Sequence, residues 1–138
     1  MRRPLALALL AVAGCGGEPP SAESVVRAWS ESVNQGDHAA AARLFAHGAT
    51  VVRDGDVRRL HSYNAAHGWN ASLRWCGRIV SVNSRGPTVR AVFITRTREH
   101  FGCTGPGERT YTLVRVRDGK IVLWHQLEQG REPDDQSV

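Results

Sequence analysis

The second half of the chain, from Ser72 to Glu128, constrains the fold most. It alternates apolar with polar residues, is rich in Val, Ile and Thr, and is interrupted at 84–87, at 102–107 and at Asp118-Gly119. Alternation with a period of two predicts half-buried β-strands, and short breaks containing Gly predict the turns that join antiparallel neighbours. We therefore predict four strands, near residues 72–83, 88–98, 108–117 and 120–128.

The last two of these strands carry apolar residues on both faces. If Asp118-Gly119 is a two-residue turn, Val114 lies opposite Leu123 and Thr112 lies opposite His125. One face then holds one histidine and five aliphatic residues: Val114, Val116, Ile121, Leu123, His125 and Leu127. The other face holds Tyr111, Leu113, Val122 and Trp124 beside Arg115, Arg117 and Lys120. Because both faces are apolar, the second needs a cover, which a second copy of the protein could supply.

Helices are predicted before the sheet. Ser21 can cap a first helix whose apolar residues form one stripe, and Gly36 can end it. Asp37 can cap a second, alanine-rich helix over residues 38–46. Short strands at 49–53 and 57–60 flank Asp54-Gly55-Asp56, and Ser62 could cap a short third helix.

The N-terminus has the order of an export signal. Arg2 and Arg3 precede an apolar run, Leu5–Val12, which is too short to span a bilayer. The following Val12-Ala13-Gly14-Cys15 resembles the lipobox of bacterial lipoproteins. That resemblance implies a signal peptide at 1–14 and a lipid on Cys15, which anchors the exported chain to the cell membrane or envelope. The alternative is a soluble secreted protein cut nearby.

The sequence after the predicted signal peptide divides into a tether, one folded domain and a tail. Residues 15–20 form the lipidated cysteine and its tether, 21–128 the folded domain, and 129–138 a flexible, polar tail. Removal of the signal leaves 16 basic against 13 acidic side chains. The basic residues are spread along the chain, so we predict no nucleic-acid partner.

Two cysteines remain once Cys15 is assigned to lipid. Cys76 and Cys103 are predicted to form a disulfide, because an exported domain meets an oxidising compartment. If Arg85-Gly86 is a turn, Cys76 lies across from Thr95, near the loop that contains Cys103. Two separate buried thiols are the alternative, whereas a metal site would lack ligands at defined spacing. The sequence contains no motif for a metal or a cofactor, and we predict neither.

Several motifs together resemble a nuclear transport factor 2-like domain, with the SnoaL-like branch as the nearest pattern. They are Asn34-Gln35-Gly36-Asp37 between the helices, Leu44-Phe45-Ala46 with Ala49-Thr50-Val51, and the final Arg117–Val122. The resemblance implies an α+β fold in which a cone-like, curved antiparallel sheet wraps two to three N-terminal helices and leaves a cavity between them. Isomerases, cyclases, hydrolases and noncatalytic proteins share this fold, so the fold alone does not select a function.

Transfer of the family's isomerase residues argues against that chemistry. The position of the oxyanion tyrosine falls on Trp29, and that of the catalytic aspartate falls on Arg53. An arginine does not abstract a proton at neutral pH. Asp54 lies one residue further on, and would need a bulge to point to the same face.

The candidate site residues follow from these patterns. His125 would face the cavity and could act as acid or base with Tyr63 or Asp54. Trp29, Tyr63, Trp69 and His125 could line a pocket for an apolar ligand, although each could simply pack. His61 and His67 could meet a ligand at the cavity mouth.

Three hypotheses remain open. The first is a noncatalytic cell-envelope lipoprotein that binds a small hydrophobic ligand or a partner protein. The second is an enzyme of the polyketide cyclase, isomerase or hydrolase type that uses His125. The third is a dimeric scaffold, a homodimer formed through the sheet face with Trp124 and Tyr111.

Overall fold

The protein is described here by a computed structural model that covers residues 17–99 and 102–128. The predicted signal peptide, Cys15 and the tail at 129–138 lie outside the described residues. The elements, in chain order, are α1 (Ala22–Gln35), α2 (His38–Arg43), β1 (Phe45–Arg53), β2 (Asp56–Leu60), α3 (Tyr63–Ala71), β3 (Trp75–Arg85), β4 (Thr88–Glu99), β5 (Gly102–Arg117) and β6 (Lys120–Leu127). In the described part, no helix combines the length and apolar character needed to cross a bilayer.

All six strands join one curved, unclosed sheet in the order β2-β1-β6-β5-β4-β3. β1 runs parallel to β6, and every other neighbouring pair is antiparallel. The helices pack on one face, where their buried residues share a core with the strands. The predicted α+β fold, with a curved sheet around N-terminal helices, is confirmed.

The first helix forms as its sequence predicts. The Ser21 side chain accepts from the Ser24 amide, and Gly36 ends the helix with a φ of 70°, a left-handed conformation that favours glycine. Its buried stripe is Val25, Val26, Trp29, Ser30 and Val33. The Arg98 guanidinium donates to the carbonyls of Val33 and Asn34 at the helix end, where cations are favoured.

Two predicted boundaries are wrong because tertiary pairing overrides local preference. α2 ends at Arg43, and Phe45 begins β1 by pairing with Ile121, so the predicted helix over 38–46 is too long. The glycine-rich stretch at 102–107 is predicted as a break, yet it belongs to β5 and pairs with β4 across a register shift. A side chain at Gly107 would collide with Ile94, so this glycine permits the close approach of the two strands.

The β3–β4 turn differs from the prediction by one residue. Arg85 pairs with Thr88, which makes Gly86-Pro87 the turn, and a bulge interrupts the register between Ile79 and Ser81. Cys76 therefore lies opposite Arg96 and not opposite Thr95.

The β5–β6 hairpin has the predicted turn but a different register. Arg117 pairs with Lys120, and a shift between Arg115 and Val116 then places Val114 opposite Trp124. The predicted pairs Val114–Leu123 and Thr112–His125 are wrong. One extra residue in a bulged strand sends the following side chains to the other face. Trp124 consequently points into the core, and His125, paired with Leu113, points away from it.

The buried residues of the hydrophobic core lie between Val25 and Trp124 in the sequence. The core draws on all three helices and on strands β1, β2, β4, β5 and β6, with Trp75, Ile79 and Val82 of β3 packed against it. The segment at 17–20 is exposed. Residues 17–20 therefore contribute nothing to this core.

Candidate functional site

The space between helices and sheet, where the resemblance implies a cavity, is occupied by aromatic rings. Trp29 of α1 lies at their centre. Its ring centroid is 5.6 Å from that of Trp124, 5.9 Å from that of Trp75 and 6.1 Å from that of Phe93. Edge-to-face pairs at such distances are favourable beyond the area they bury.

A second group of rings extends this cluster toward α3. The Trp69 centroid is 4.9 Å from that of Trp124 and 5.5 Å from that of Phe45. Trp29, Phe93 and Trp124 have no exposed surface. We call these six residues the aromatic cluster: Trp29, Phe45, Trp69, Trp75, Phe93 and Trp124. Ring contacts of this kind hold the helices on the sheet.

Neutral groups supply the polar chemistry of the interior. The Trp29 Nε1–H donates to Asn70 Oδ1 at 2.9 Å, and Asn70 Nδ2 donates to the Ala66 carbonyl at 2.8 Å. The buried polar residues of the described part are Ser30, Asn70, Thr110 and Thr112. Amides and hydroxyls of this kind do not exchange protons near neutral pH, so these four side chains are poorly suited to act as a general acid or base.

Three buried side-chain polar atoms lack a hydrogen-bond partner among the described residues. One is His38 Nδ1, in α2. The other two are Thr112 Oγ1 and Trp124 Nε1, which lie on the inner sides of adjacent strands. A buried polar atom without a partner costs about 1–3 kcal/mol. The two unpaired atoms of Thr112 and Trp124 therefore lower the stability of the folded state.

The three catalytic candidates occupy separate parts of the molecule. His125 lies on the outer face of β6, opposite to the helices, so the prediction that it faces the interior is wrong. Tyr63 begins α3, in the helical layer, and 46% of its surface is exposed. Asp54 sits in the β1–β2 turn with a φ of 53°. The structure does not bring them together into an acid–base pair in the interior.

The four ligand candidates do not line one surface either. Trp29 and Trp69 belong to the aromatic cluster, Tyr63 is exposed, and His125 lies on the other side of the sheet. Their proposed contact with a ligand stays a prediction, because no ligand is present.

Tyr63 and His67, two residues singled out from the sequence, lie in a surface group between α2 and α3 that also contains His38 and Arg43, which were not predicted to join them. The His67 ring is 6.0 Å from the rings of Tyr63 and His38, and the Arg43 guanidinium lies 5.9 Å from the Tyr63 ring. His61 is exposed just before α3. Across the ranges 17–99 and 102–128, no three His, Cys, Asp or Glu side chains come together as a metal site.

An open groove lies at the start of β3, beside the predicted disulfide. Cys76 and Cys103 are bonded, with Cα atoms 5.8 Å apart, as the sequence predicts. The groove has a volume of about 350 Å³. It is lined by the two half-cystines together with Asn34, Gly77, Arg78, Ile94 and Arg96. We call it the disulfide groove.

Asn34 fixes the shape of the disulfide groove. Its Nδ2 donates to the Gly77 carbonyl at 2.6 Å, and its Oδ1 accepts from the Gly77 amide at 2.9 Å. This side chain thus replaces a neighbouring strand along the open edge of β3. A Cβ at position 77 would lie 2.5 Å from the Ile94 carbonyl oxygen, so only glycine fits there. Asn34 and Cys76 were both singled out from the sequence, as part of a motif and of a cysteine pair. The groove that they line forms only because α1 crosses the sheet beside β3.

The disulfide groove is lined by both apolar and cationic groups. Ile94 and the disulfide form its apolar surface, while Arg78 and Arg96 supply two guanidinium groups. Arg96 Nη1 is held by the Gly105 carbonyl at 3.0 Å. The residues that line it include no carboxylate. Such a surface favours a molecule that has an apolar body and an anionic group.

Comparison with known proteins identifies the fold. No protein-family model and no curated protein sequence matches the chain. Among solved structures, the chain is similar to a nuclear transport factor 2-like protein from Cytophaga hutchinsonii, with a TM-score of 0.66, 12% identity, and coverage of 81% of this chain and 92% of that one.

Two further solved structures give the same result. A protein with a ketosteroid isomerase-like fold from Catenulispora acidiphila, in complex with trimethylamine, has a TM-score of 0.63 and 20% identity and covers 75% of this chain and 84% of its own. An LEH-like epoxide hydrolase from M. tuberculosis has a TM-score of 0.62 and 15% identity, with coverage of 76% and 80%. The chain therefore has the nuclear transport factor 2-like fold, as the sequence motifs imply. At these identities the similarity identifies the fold and not an activity.

Proposed function

We propose that the chain is an exported lipoprotein, anchored through Cys15, whose domain binds a small hydrophobic ligand or a partner protein and catalyses no reaction. The observation that carries this proposal is the aromatic cluster. It fills the space between helices and sheet, and the polar groups around it are neutral. A domain whose interior is packed in this way interacts with other molecules through its surface.

The disulfide groove is the proposed binding surface. It combines Ile94 and the disulfide with the two guanidinium groups of Arg78 and Arg96. The favoured occupant is a small molecule with an apolar body and one anionic group, or a side chain of that chemistry on a partner protein. No nucleic acid is proposed, because the groove is too small to follow a phosphate backbone.

Binding can be measured with 1-anilinonaphthalene-8-sulfonate, which has an apolar ring system and one anionic group. We expect the fluorescence of this probe to report binding to residues 17–138. The double variant Arg78→Gln/Arg96→Gln should weaken binding by about tenfold or more, because two charge-assisted contacts are lost. The matched control is Arg27→Gln/Arg58→Gln, which removes the same charge from exposed surface ion pairs. Equal binding by both double variants would refute the proposed site.

The noncatalytic part of the proposal has a separate test. Some proteins of this fold are enzymes, including the epoxide hydrolase above. Purified protein should therefore be incubated with a panel of epoxides and lactones. We expect no turnover above the uncatalysed rate. Turnover that is lost in His125→Ala would instead support the hypothesis of an enzyme that uses His125.

The anchor is tested by mass spectrometry of the chain expressed in a bacterial host. We expect a membrane-associated protein that begins at Cys15 and carries lipid, and a Cys15→Ser variant that lacks it. An unacylated, uncleaved chain in the cytosol would refute the proposed export and lipid anchoring.

A homodimer through the sheet remains part of the proposal. The helices cover one face only, and the other face presents Leu113, Tyr111 and Leu127 at partly buried positions. Trp124, which the sequence analysis placed on this face, does not contribute, because it belongs to the aromatic cluster. Light scattering of the unlipidated protein should give twice the monomer mass, and a monomer would contradict the dimer.

A further inference from the structure

The segment that precedes α1 leaves the domain at one defined place, the β5–β6 turn. A Cβ at Gly119 would lie 3.0 Å from Pro20 Cδ, so the end of the predicted tether packs directly on this turn. Gly119 has a φ of 73°, which favours glycine. Whatever precedes Pro20 in the chain therefore starts from this end of the sheet.

Two other connections meet at the same end. The Val116 amide donates to the Pro87 carbonyl at 2.8 Å, which brings the β3–β4 turn beside the β5–β6 turn. The Ile121 amide donates to the Leu44 carbonyl at 2.8 Å, which adds the junction of α2 and β1. We call the surface formed by these three connections the tether end.

The tether end is rich in cations. Lys120 Nζ donates to the Arg43 carbonyl, and Arg117 pairs with Lys120 across the turn. A Cβ at Gly48, near the start of β1, would lie 3.7 Å from an Arg59 guanidinium nitrogen, which places that group here as well. The cationic residues counted at the tether end are Arg43, Arg59, Arg115, Arg117 and Lys120.

Carboxylates are fewer at the tether end. Asp118 lies at the tip of the turn, and Glu18 lies in the tether. Glu23, at the start of α1, is paired with Arg27 at 2.8 Å. Five cations thus face two carboxylates that lie outside this pair, and the surface has a net positive charge.

The length of the tether places this charge close to any membrane that holds Cys15. Pro20 lies five residues after Cys15, and a chain extends by at most about 3.6 Å per residue, so the reach is about 18 Å at most. The Debye length at physiological ionic strength is about 8 Å. Even a fully extended tether therefore holds Pro20 within about two Debye lengths of the membrane, and a less extended one brings the cations closer to the headgroups, where anionic lipids attract basic side chains.

We propose that the tether end binds the phosphate headgroups of the anionic lipids in the membrane that carries the anchor. This inference rests on the proposed function, because it takes Cys15 as the point of attachment. The contact orients the domain. β4 runs from Thr88 at this end to Arg96 at the disulfide groove, a distance of about 27 Å at the usual rise per residue. The disulfide groove then faces away from the membrane and stays accessible to its ligand.

Unlipidated protein, residues 17–138, tests the contact separately from the anchor. It should be sedimented with vesicles of phosphatidylcholine alone and with vesicles that also contain phosphatidylglycerol. We expect binding only to the anionic vesicles, and weaker binding as salt is raised. Arg117→Gln/Lys120→Gln should weaken it by about tenfold or more, since each basic side chain near an anionic surface contributes several-fold.

The matched control is Arg74→Gln/Arg109→Gln, which removes the same charge from exposed residues at the far end of the sheet, outside the disulfide groove, and should leave vesicle binding unchanged. Circular dichroism and urea unfolding check that both double variants are folded. Equal loss in the two double variants, or no binding to anionic vesicles, would overturn the inference. Equal competition by polyglutamate would also overturn it, in favour of an acidic protein partner. None of these results depends on lipid at Cys15, whose absence in the mass spectrum would overturn the proposed function instead.

Discussion

The two faces of the sheet differ in chemistry, although residues adjacent in the sequence alternate between them. On the inner face, Val114 and Trp124 pair with each other and have no exposed surface. On the outer face, Leu113 pairs with His125 and both remain partly accessible. The inner face holds the fold together through neutral, closely packed groups. Charged and titratable side chains lie on the outer face, at the ends of the sheet and on the exposed surface of the helices.

The largest expected effect tests this division directly, because adjacent residues should behave differently. Trp124→Ala should lower the free energy of unfolding by about 3–5 kcal/mol, since it removes a buried ring that contacts Trp29 and Trp69. His125→Ala should change it by about 0.5 kcal/mol or less, as is usual for a side chain outside the core. Urea titration of both variants measures this. A reversed order would mean that the unshifted hairpin register is correct and that His125 faces the interior.

The next largest loss of unfolding free energy is expected on removal of the disulfide. Its size shows how much stability comes from outside the hydrophobic core. Cys76→Ala/Cys103→Ala opens a loop with a sequence separation of 27. In the loop-entropy model this costs about 3–4 kcal/mol. Urea unfolding of the variant and of reduced wild-type protein should give the same loss. A wild-type protein insensitive to reductant would show that the bridge does not form.

A smaller effect is expected from the buried amide that supports the aromatic cluster. Asn70→Ala removes the acceptor of the Trp29 Nε1–H and should cost about 2 kcal/mol, because a buried donor loses its partner. The loss should shrink when Trp29 is also changed to Phe, which has no such donor. A double-mutant cycle with Trp29→Phe measures this coupling. Additive losses would show that the hydrogen bond contributes nothing.

The smallest effect should have the opposite sign. Thr112 is buried, and its hydroxyl has no hydrogen-bond partner among the described residues. Thr112→Val keeps the shape and removes that hydroxyl, so stability should be unchanged or rise by about 1 kcal/mol. Ser30→Ala provides a comparison at another buried hydroxyl. A loss above about 1 kcal/mol in Thr112→Val would show that the hydroxyl is satisfied in solution, for example by a bound water.

The candidate site was harder to predict than the fold. The cysteine pair was predicted from composition and compartment, and the disulfide is present. The disulfide groove was not predicted, because Asn34 and Gly77 are 43 residues apart and only the crossing of α1 over β3 brings them together. His125 was assigned to the wrong face because a bulge leaves no clear signal in an alternating sequence that has apolar residues on both faces.

The sequence by itself determined the local elements that carry their own signals. The caps at Ser21, Gly36, Asp37 and Ser62 and the Asp118-Gly119 turn depend only on neighbouring residues, and each forms as predicted. Tertiary structure alone decided the register shifts, the inward position of Trp124 and the end of α2. These features depend on contacts between residues far apart in the chain, and the free energy gained by burying Trp29, Trp69 and Trp124 exceeds the local preferences that a sequence pattern records.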